Sequence, residues 1–184
     1  KDSNSSVNTT PSTVKITITG TNDAPVITKV VGKDSDIASL TEANQTLSTS
    51  GTLTVTDADV SNTVTMSVTG VAVDTTTTGT TPGVQKLMSD GLLTNAQLLS
   101  MLTVTSGSLA ADPTSGSSFT WSFDSSKVAD NANNTFDFLA AGEKLVLNYT
   151  LTATDSNNSV NTTLRQVQIT ITGTNDVPVI TKAS

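Results

Sequence analysis

Aliphatic and polar side chains alternate with a period of two over several stretches of this chain. Val14, Ile16 and Ile18 interleave with Lys15, Thr17 and Thr19, and the pattern returns in Val167, Ile169 and Ile171. Leu53 and Val55 follow it, as do Val64, Met66 and Val68, then Phe119, Trp121 and Phe123, then Leu145, Leu147, Tyr149 and Leu151. Successive side chains of a strand point to opposite faces, so each stretch predicts a strand with one buried face and a Thr-rich face in water. Such alternation marks antiparallel sheets, and the Gly, Asn, Asp and Ser clusters between the stretches supply the turns of an all-β sandwich. Two windows depart from it. Thr94-Asn95-Ala96-Gln97 has capping-box spacing ahead of Leu98, Leu99, Met101 and Leu102, and Phe136–Ala141 runs into Gly142, a natural left-handed stop. Both are expected to be short helical insertions over a sandwich end. Residues 71–83 and 105–118 carry little apolar pattern and are expected to be surface loops.

The pattern at residues 14–18 returns at 167–171 because a longer segment is duplicated. Residues 2–29, DSNSSVNTTPSTVKITITGTNDAPVITK, reappear at 155–182 as DSNNSVNTTLRQVQITITGTNDVPVITK, with 22 of 28 positions identical at a shift of 153. Solenoid units repeat every 20–50 residues or so, and this period is far longer, so the chain reads as one period of a tandem array of self-contained domains. The GTND(A/V)P stretches make the boundaries, since Pro25 and Pro178 cannot donate to a sheet ladder. Residues 25–176 are then the complete sandwich, 1–24 the last strand and linker of a preceding repeat, and 177–184 the start of the next. The surplus strand at 14–18 has an unsatisfied edge; it is expected to pair with a neighbouring molecule, to add to an open edge of this domain, or to fray.

Composition narrows the chemistry. Roughly a fifth of the residues are Thr and only 3% are aromatic, so the core must be built mostly from Val, Ile and Leu. The absence of Cys and His removes disulfides, thiolate chemistry, imidazole bases and the usual zinc sites. A net charge of −7 and a pI near 4.2 argue against nucleic acid or an anionic membrane as partner and leave hard cations as the natural counter-charge. No apolar run is long enough to insert in a membrane and no signal-peptide pattern is present. Trp121 could serve as a sugar platform, but Phe119 and Phe123 share its face at strand spacing, which favours a core position. The Asn-x-Ser/Thr triplets at Asn8, Asn44 and Asn148 are expected to be chance matches.

Three stretches, GTLTVTDADV at 51–60, FDFLAAGEKLVLNYTLTATDSNNS at 136–159 and VQITITGTNDVPV at 167–179, resemble VCBS repeats, the cadherin-like modules of giant bacterial adhesins of the repeats-in-toxin class. The resemblance is specific at the strand after LAAGE and at the ITITGTND linker, and weak over 71–118. It implies an immunoglobulin- or cadherin-like Greek-key sandwich and Ca²⁺ at the junctions between repeats. It also implies one-step export, an extracellular position on the bacterial surface, and a spacer role in adhesion and biofilm formation, with the surface ligand bound by other domains.

Along such a path the acids sort to two ends. Asn22 and Asp23, the Asp57-x-Asp59 corner and the Asp155-Ser156-Asn157 corner fall at the N-terminal end, while Glu42, Glu143, Asn175 and Asp176 fall at the other. Ca²⁺ takes six to eight or so oxygen ligands, and Asp-x-Asp spacing lets one loop offer two carboxylates to one ion. All of these end residues except Ser156, ten residues, are the candidate calcium ligands, in sites shared between neighbouring repeats. Asp34-x-Asp36 and Asp130-Asn131 have similar spacing but are expected to be surface turns. The leading expectation is a non-catalytic extender. The rival is a carbohydrate- or protein-binding module built on residues 71–118, and a hydrolase using Asp57 and Asp59 is remote without His or an aromatic subsite.

Overall fold

The computed structural model describes residues 11–76, 79–105, 107–129, 135–160 and 164–177. The Asn8 triplet, Asp130-Asn131, Pro178 and all of the final segment beyond Val177 lie outside the described residues. In chain order the elements are β1 (Val26–Thr28), β2 (Ile37–Thr41), β3 (Ser48–Thr56), β4 (Thr63–Val73), α1 (Pro82–Asp90), α2 (Asn95–Ser100), β5 (Leu102–Val104), β6 (Ser108–Ala110), β7 (Ser117–Asp124), β8 (Lys144–Asp155) and β9 (Arg165–Thr172).

The strands form two sheets, ordered β1-β3-β7-β5 and β2-β9-β8-β4-β6. All pairings are antiparallel except that of β2 with β9. The chain descends through β1, crosses between the sheets and continues down as β2; β3 ascends, β4 descends, β8 ascends and β9 descends. This is an immunoglobulin-like β-sandwich with two short helical insertions. Leu145, Leu147, Tyr149, Leu151 and Ala153 of β8 alternate into the core and meet Val167, Ile169 and Ile171 of β9, all fully buried. From the opposite sheet come Leu53, Val55, Phe119, Trp121 and Phe123.

Trp121 is buried, as its strand spacing predicts, and its indole Nε1 donates to the Ser35 carbonyl at 2.7 Å. That bond pins the β1–β2 crossing against the opposite sheet. Gly51 lies opposite Trp121 in the β3–β7 ladder, and a Cβ there would sit 2.5 Å from ring atom Cζ2. The glycine is the space the indole occupies.

Several expectations need correction. Of the outcomes expected for residues 14–18, addition to an edge of this sandwich is not found: they form no strand, and Val14, Ile16 and Ile18 are 83%, 80% and 90% exposed, although a closely similar sequence makes the buried β9. A strand needs a ladder partner, and no edge of this sandwich takes this one. Phe136–Ala141 is not a helix. Phe136 has φ of 67°, which breaks a right-handed helix at its start, and two tight turns follow, with Leu139 N–H donating to Phe136 O and Glu143 N–H to Ala140 O. The turns still bury Phe136 and Leu139 as a plug under the sandwich. The expected loop at 71–83 is shorter than that, because β4 runs on to Val73 and α1 starts at Pro82, and the one at 105–118 contains the short β6 and gives way to β7 at Ser117. In α1, extended Thr81 precedes Pro82 in the first turn, left-handed Gly91 ends the helix, and Val84 and Leu87 bury one face. The capping box at Thr94 is formed as expected, with Gln97 N–H bonded to Thr94 Oγ1 and Thr94 N–H to Gln97 Oε1. Tyr149 then donates its hydroxyl to Leu98 O at 2.9 Å, tying α2 to the sheet, and burial pushes the phenol pKa far up.

Gly51→Ala is expected to lower the unfolding free energy by about 1–3 kcal/mol through overpacking. Urea denaturation checks this: the midpoint should fall at unchanged slope, and a wild-type midpoint would mean that the indole can retreat.

Candidate functional site

β3 and β8 both end at the upper edge of the sandwich, where β1 and β4 begin, so the chain must turn there in three places. Short polar residues make those turns by hydrogen-bonding their own backbone. Asp57 Oδ1 accepts from Asp59 N–H at 2.9 Å, and Asp155 Oδ1 accepts from Asn157 N–H at 2.9 Å and Ser159 N–H at 2.7 Å. Each corner thereby aims carboxylate oxygens at the same small region.

Asn22 joins the corners. Its amide nitrogen donates to Asp155 Oδ2 at 2.8 Å and to Ser159 Oγ at 2.7 Å. Its carbonyl oxygen accepts from Asn62 Nδ2 at 2.9 Å and from Asn157 Nδ2 at 2.6 Å. The next residue, Asp23, donates its backbone N–H to Asp59 Oδ2 at 2.7 Å. The structure thus brings together Asn22, Asp23, Asp57, Asp59, Asp155 and Asn157, as the topology argument required. Burial alone would raise the Asp155 carboxyl, but the Asn22 amide and the Ser159 and Asn157 N–H groups outweigh it and hold it below the usual carboxylate range. Asp57, buried like Asp155, differs in one respect: its Oδ2 is buried without a hydrogen-bond partner. Beside it lies an open depression of about 340 Å³, lined by Asp23, Thr56, Asp57, Ala58 and Pro113 among others.

The lower end is built otherwise. Glu42, just past β2, is fully buried. One of its oxygens accepts from Asn44 N–H, and the other from Thr174 N–H at 3.2 Å and Thr174 Oγ1 at 2.6 Å. Burial opposes its ionisation, yet the Thr174 hydroxyl, the Asn44 and Thr174 amides and a hydrogen bond with Asp137 outweigh it and keep the carboxyl below its usual range. Asp137 moves the opposite way, raised by burial and by the charges of Glu42 and Asp176. Glu143 does not join them. Its carboxylate accepts from Gly83 N–H at 3.1 Å and Ala140 N–H at 3.0 Å, so it caps the first turn of α1 and staples the Phe136–Ala141 turns beneath it. Asn175 and Asp176 are exposed, with Asn175 Nδ2 bonded only to Asp176 O at 3.4 Å among its described contacts.

Asp34 and Asp36 do not stand in an open surface turn: Asp34 is buried and Asp36 is partly buried. Asp34 accepts from Val30 N–H and Thr54 Oγ1, while Asp36 sits between Lys29, at 2.5 Å, and Arg165. Sequence reasoning missed Asn62, Ser159, Thr174 and Asp137. Asn62 follows Asp59 by three residues and Ser159 closes the Asp-Ser-Asn-Asn-Ser run, so both carried the loop signal; Asp137 and Thr174 were hidden inside apolar or linker patterns. Among the described residues no three acidic side chains are already grouped closely enough to hold a metal. In this arrangement the Asn22 amide stands between the corners.

No protein-family model matches the sequence, and no curated protein does. Among solved structures the chain is similar to the CooA pilin subunit of enterotoxigenic Escherichia coli, with 12% identity, 84% of this chain and 100% of that chain covered, and a TM-score of 0.44. It is also similar to AggA, the major subunit of aggregative adherence fimbriae type I of Escherichia coli, at 8% identity over 86% of this chain and 99% of that one, with a TM-score of 0.34. A third likeness is to the periplasmic chaperone SfaE, at 8% identity over 84% of this chain and 60% of that one, with a TM-score of 0.38. Likenesses this distant carry no argument about ligand or partner.

The opposed carboxyls at the lower end set a pH signature. Asp137, raised in the folded state, costs stability once it ionises, whereas Glu42, lowered, contributes stability that is lost as pH falls below the usual carboxylate range. With a chelator present, Asp137→Asn is expected to raise stability at pH 7 by under about 1 kcal/mol. The gain should vanish in acid, where Asp137 is protonated folded or unfolded. Urea midpoints at pH 3 and pH 7 check this, and a variant less stable than wild type at pH 7 contradicts it.

Proposed function

We propose that this chain is an extender module of a secreted bacterial surface adhesin, stiffened by Ca²⁺ at the junctions between consecutive sandwiches. The observation that carries the reading is Asp57 Oδ2, a buried carboxylate oxygen without a partner, in a cluster otherwise made of Asp, Asn and Ser oxygens. A buried anion costs several kcal/mol or so unless paired, and hydrogen bonds already satisfy its neighbours. An all-oxygen donor set suits a hard cation such as Ca²⁺. Asp57, Asp59 and Asp155 would supply charge and Asn22 a carbonyl oxygen, with Asp23 and Asn157 supporting them; at the lower end Glu42, Asn175 and Asp176 remain candidates, joined by Asp137. Glu143 is better explained as the cap of α1.

The bound ion would fix the angle between sandwiches. Asn22 and Asp23 precede β1 directly, so a cation gripping them together with the Asp57–Asp59 and Asp155 corners locks the linker onto the domain that follows. The module's work is then mechanical rather than catalytic, and its partners are neighbouring repeats of the same chain outside the cell. The rival binding-module reading loses its aromatic platform, because Trp121 is buried and bonded to Ser35.

Extracellular calcium modules bind at about 10⁻⁴–10⁻³ M. At about 10 mM Ca²⁺ that affinity adds about 1.4–2.7 kcal/mol. For a domain of this size the gain is a rise of roughly 3–10 °C in melting temperature over the chelated protein. Calorimetry with Ca²⁺ and with chelator tests it. Asp57→Asn should lose most of the calcium-dependent rise while melting no lower than wild type in chelator, since it removes an unpaired buried charge. Equal melting temperatures for wild type in the two conditions would refute the proposal.

A further inference from the structure

The exposed segment 11–21 and β9 are two copies of one sequence with opposite fates, and comparing them position by position defines what the segment fits. Val14, Ile16 and Ile18 correspond to Val167, Ile169 and Ile171, which are fully buried between the sheets. Thr17 and Thr19 match Thr170 and Thr172 on the outer face. Gly20 matches Gly173, where a Cβ would lie 2.4 Å from Ala140 O and 2.5 Å from Leu139 O, so the slot admits only glycine there. Thr21 matches Thr174, whose amide and hydroxyl satisfy the buried Glu42. The segment therefore meets every steric and hydrogen-bonding demand that the lower half of the slot makes. It differs at the upper end, where Ser12 stands in place of Arg165 and forfeits the ion pair with Asp36.

The segment cannot reach this slot in its own sandwich. Seated there, Gly20 would lie at the lower end, while Asn22 is held at the upper end by Asp155 and Ser159. The eight residues of β9 span about 27 Å. The step from Gly20 to Asn22 reaches about 7 Å at most. The acceptor must be another sandwich, and the lower end of that acceptor then abuts the upper end of the donor.

We propose that residues 11–21 are a donor strand for a second copy of this sandwich, seated between β2 and β8 in place of β9. The intact chain stays monomeric at ordinary concentrations. Its own β9 is tethered at an effective concentration of order millimolar and keeps the Arg165–Asp36 pair, so the donor enters only where β9 has been lost or weakened. The inference rests on strand geometry and not on calcium, so the experiment is run in chelator, where failure of the calcium reading cannot affect it.

Ile169→Asp should spoil β9 and leave the donor intact, giving a β-rich species whose mass, by light scattering on a sizing column, is two or more chains and rises with concentration. Adding Ile16→Asp should spoil the donor too and leave an unfolded single chain. A synthetic peptide of residues 11–24, in excess, should restore the β-sheet circular dichroism of the double variant, and the same peptide carrying Ile16→Asp should not. No rescue, equal rescue by both peptides, or identical masses for the two variants would overturn the proposal.

Discussion

The fold depends on the burial of one face of a single long strand. β8 runs for twelve residues, and its alternate side chains from Leu145 to Ala153 are all closed from water. It lies between β9, with which it pairs from Lys144 to Leu151, and β4, with which it pairs from Leu147 to Asp155, and presents its apolar face to Phe123 and the other aromatic residues of the opposite sheet. At 3.3–3.4 Å per residue it spans about 40 Å. That length fixes the height of the sandwich and the separation of its two ends. A strand with a buried face cannot carry charge inward, so acids on this path are expelled to where β8 begins and stops, at Glu143 and Asp155.

The two ends then solve the same electrostatic problem differently. At the lower end the carboxylates of Glu42 and Glu143 are consumed by backbone N–H groups, of Asn44 and Thr174 in one case and of Gly83 and Ala140 in the other. They behave as anchors for turns and for a helix start. At the upper end the corners satisfy most oxygens locally, the Asn22 amide bridges the rest, and one oxygen of Asp57 is left over. An unpaired buried oxygen is costly enough to need a reason. That asymmetry makes the upper end the stronger candidate for an ion, although the count of acids alone ranks the two ends as equals.

What the sequence disclosed follows from how much each element depends on its own residues. The long alternating strands were legible because period-two burial over five or more residues leaves a pattern no neighbour is needed to read. β1, β2, β5 and β6 are three to five residues long and take their structure from the strand beside them, so no local pattern marks them. α1 was legible and overlooked: Pro82 in its first turn and Gly91 past its end are start and stop signals framing Val84 and Leu87. Phe136–Ala141 misled because apolar residues three apart also suit a pair of tight turns. The corners that gather Asp57, Asp59 and Asp155 were readable from topology; Asn62 and Thr174, which complete the two ends, were not, because an Asn or Thr in a turn looks the same whether or not it faces another loop.

The duplicated linker shows how neighbouring sandwiches could be held in a fixed relation. The sequence Gly-Thr-Asn-Asp occurs at 20–23 and at 173–176, and each copy is gripped on a different side. In the second copy Gly173 packs against the Leu139 and Ala140 carbonyls and Thr174 is bonded to Glu42, while Asn175 and Asp176 face water. In the first, Gly20 and Thr21 face water, while Asn22 is bonded to Asp155 and Asp23 to Asp59. In the tandem array proposed above, the two halves would make a linker whose first two residues are fastened to the sandwich before it and whose last two are fastened to the sandwich after it. A joint of that kind has little backbone left to bend, so its stiffness hangs on the side-chain contacts of Asn22 and Asp23. Those contacts involve the same carboxylate corners that hold the unpaired oxygen of Asp57, which places the mechanical and the electrostatic weak points of the module at one locus.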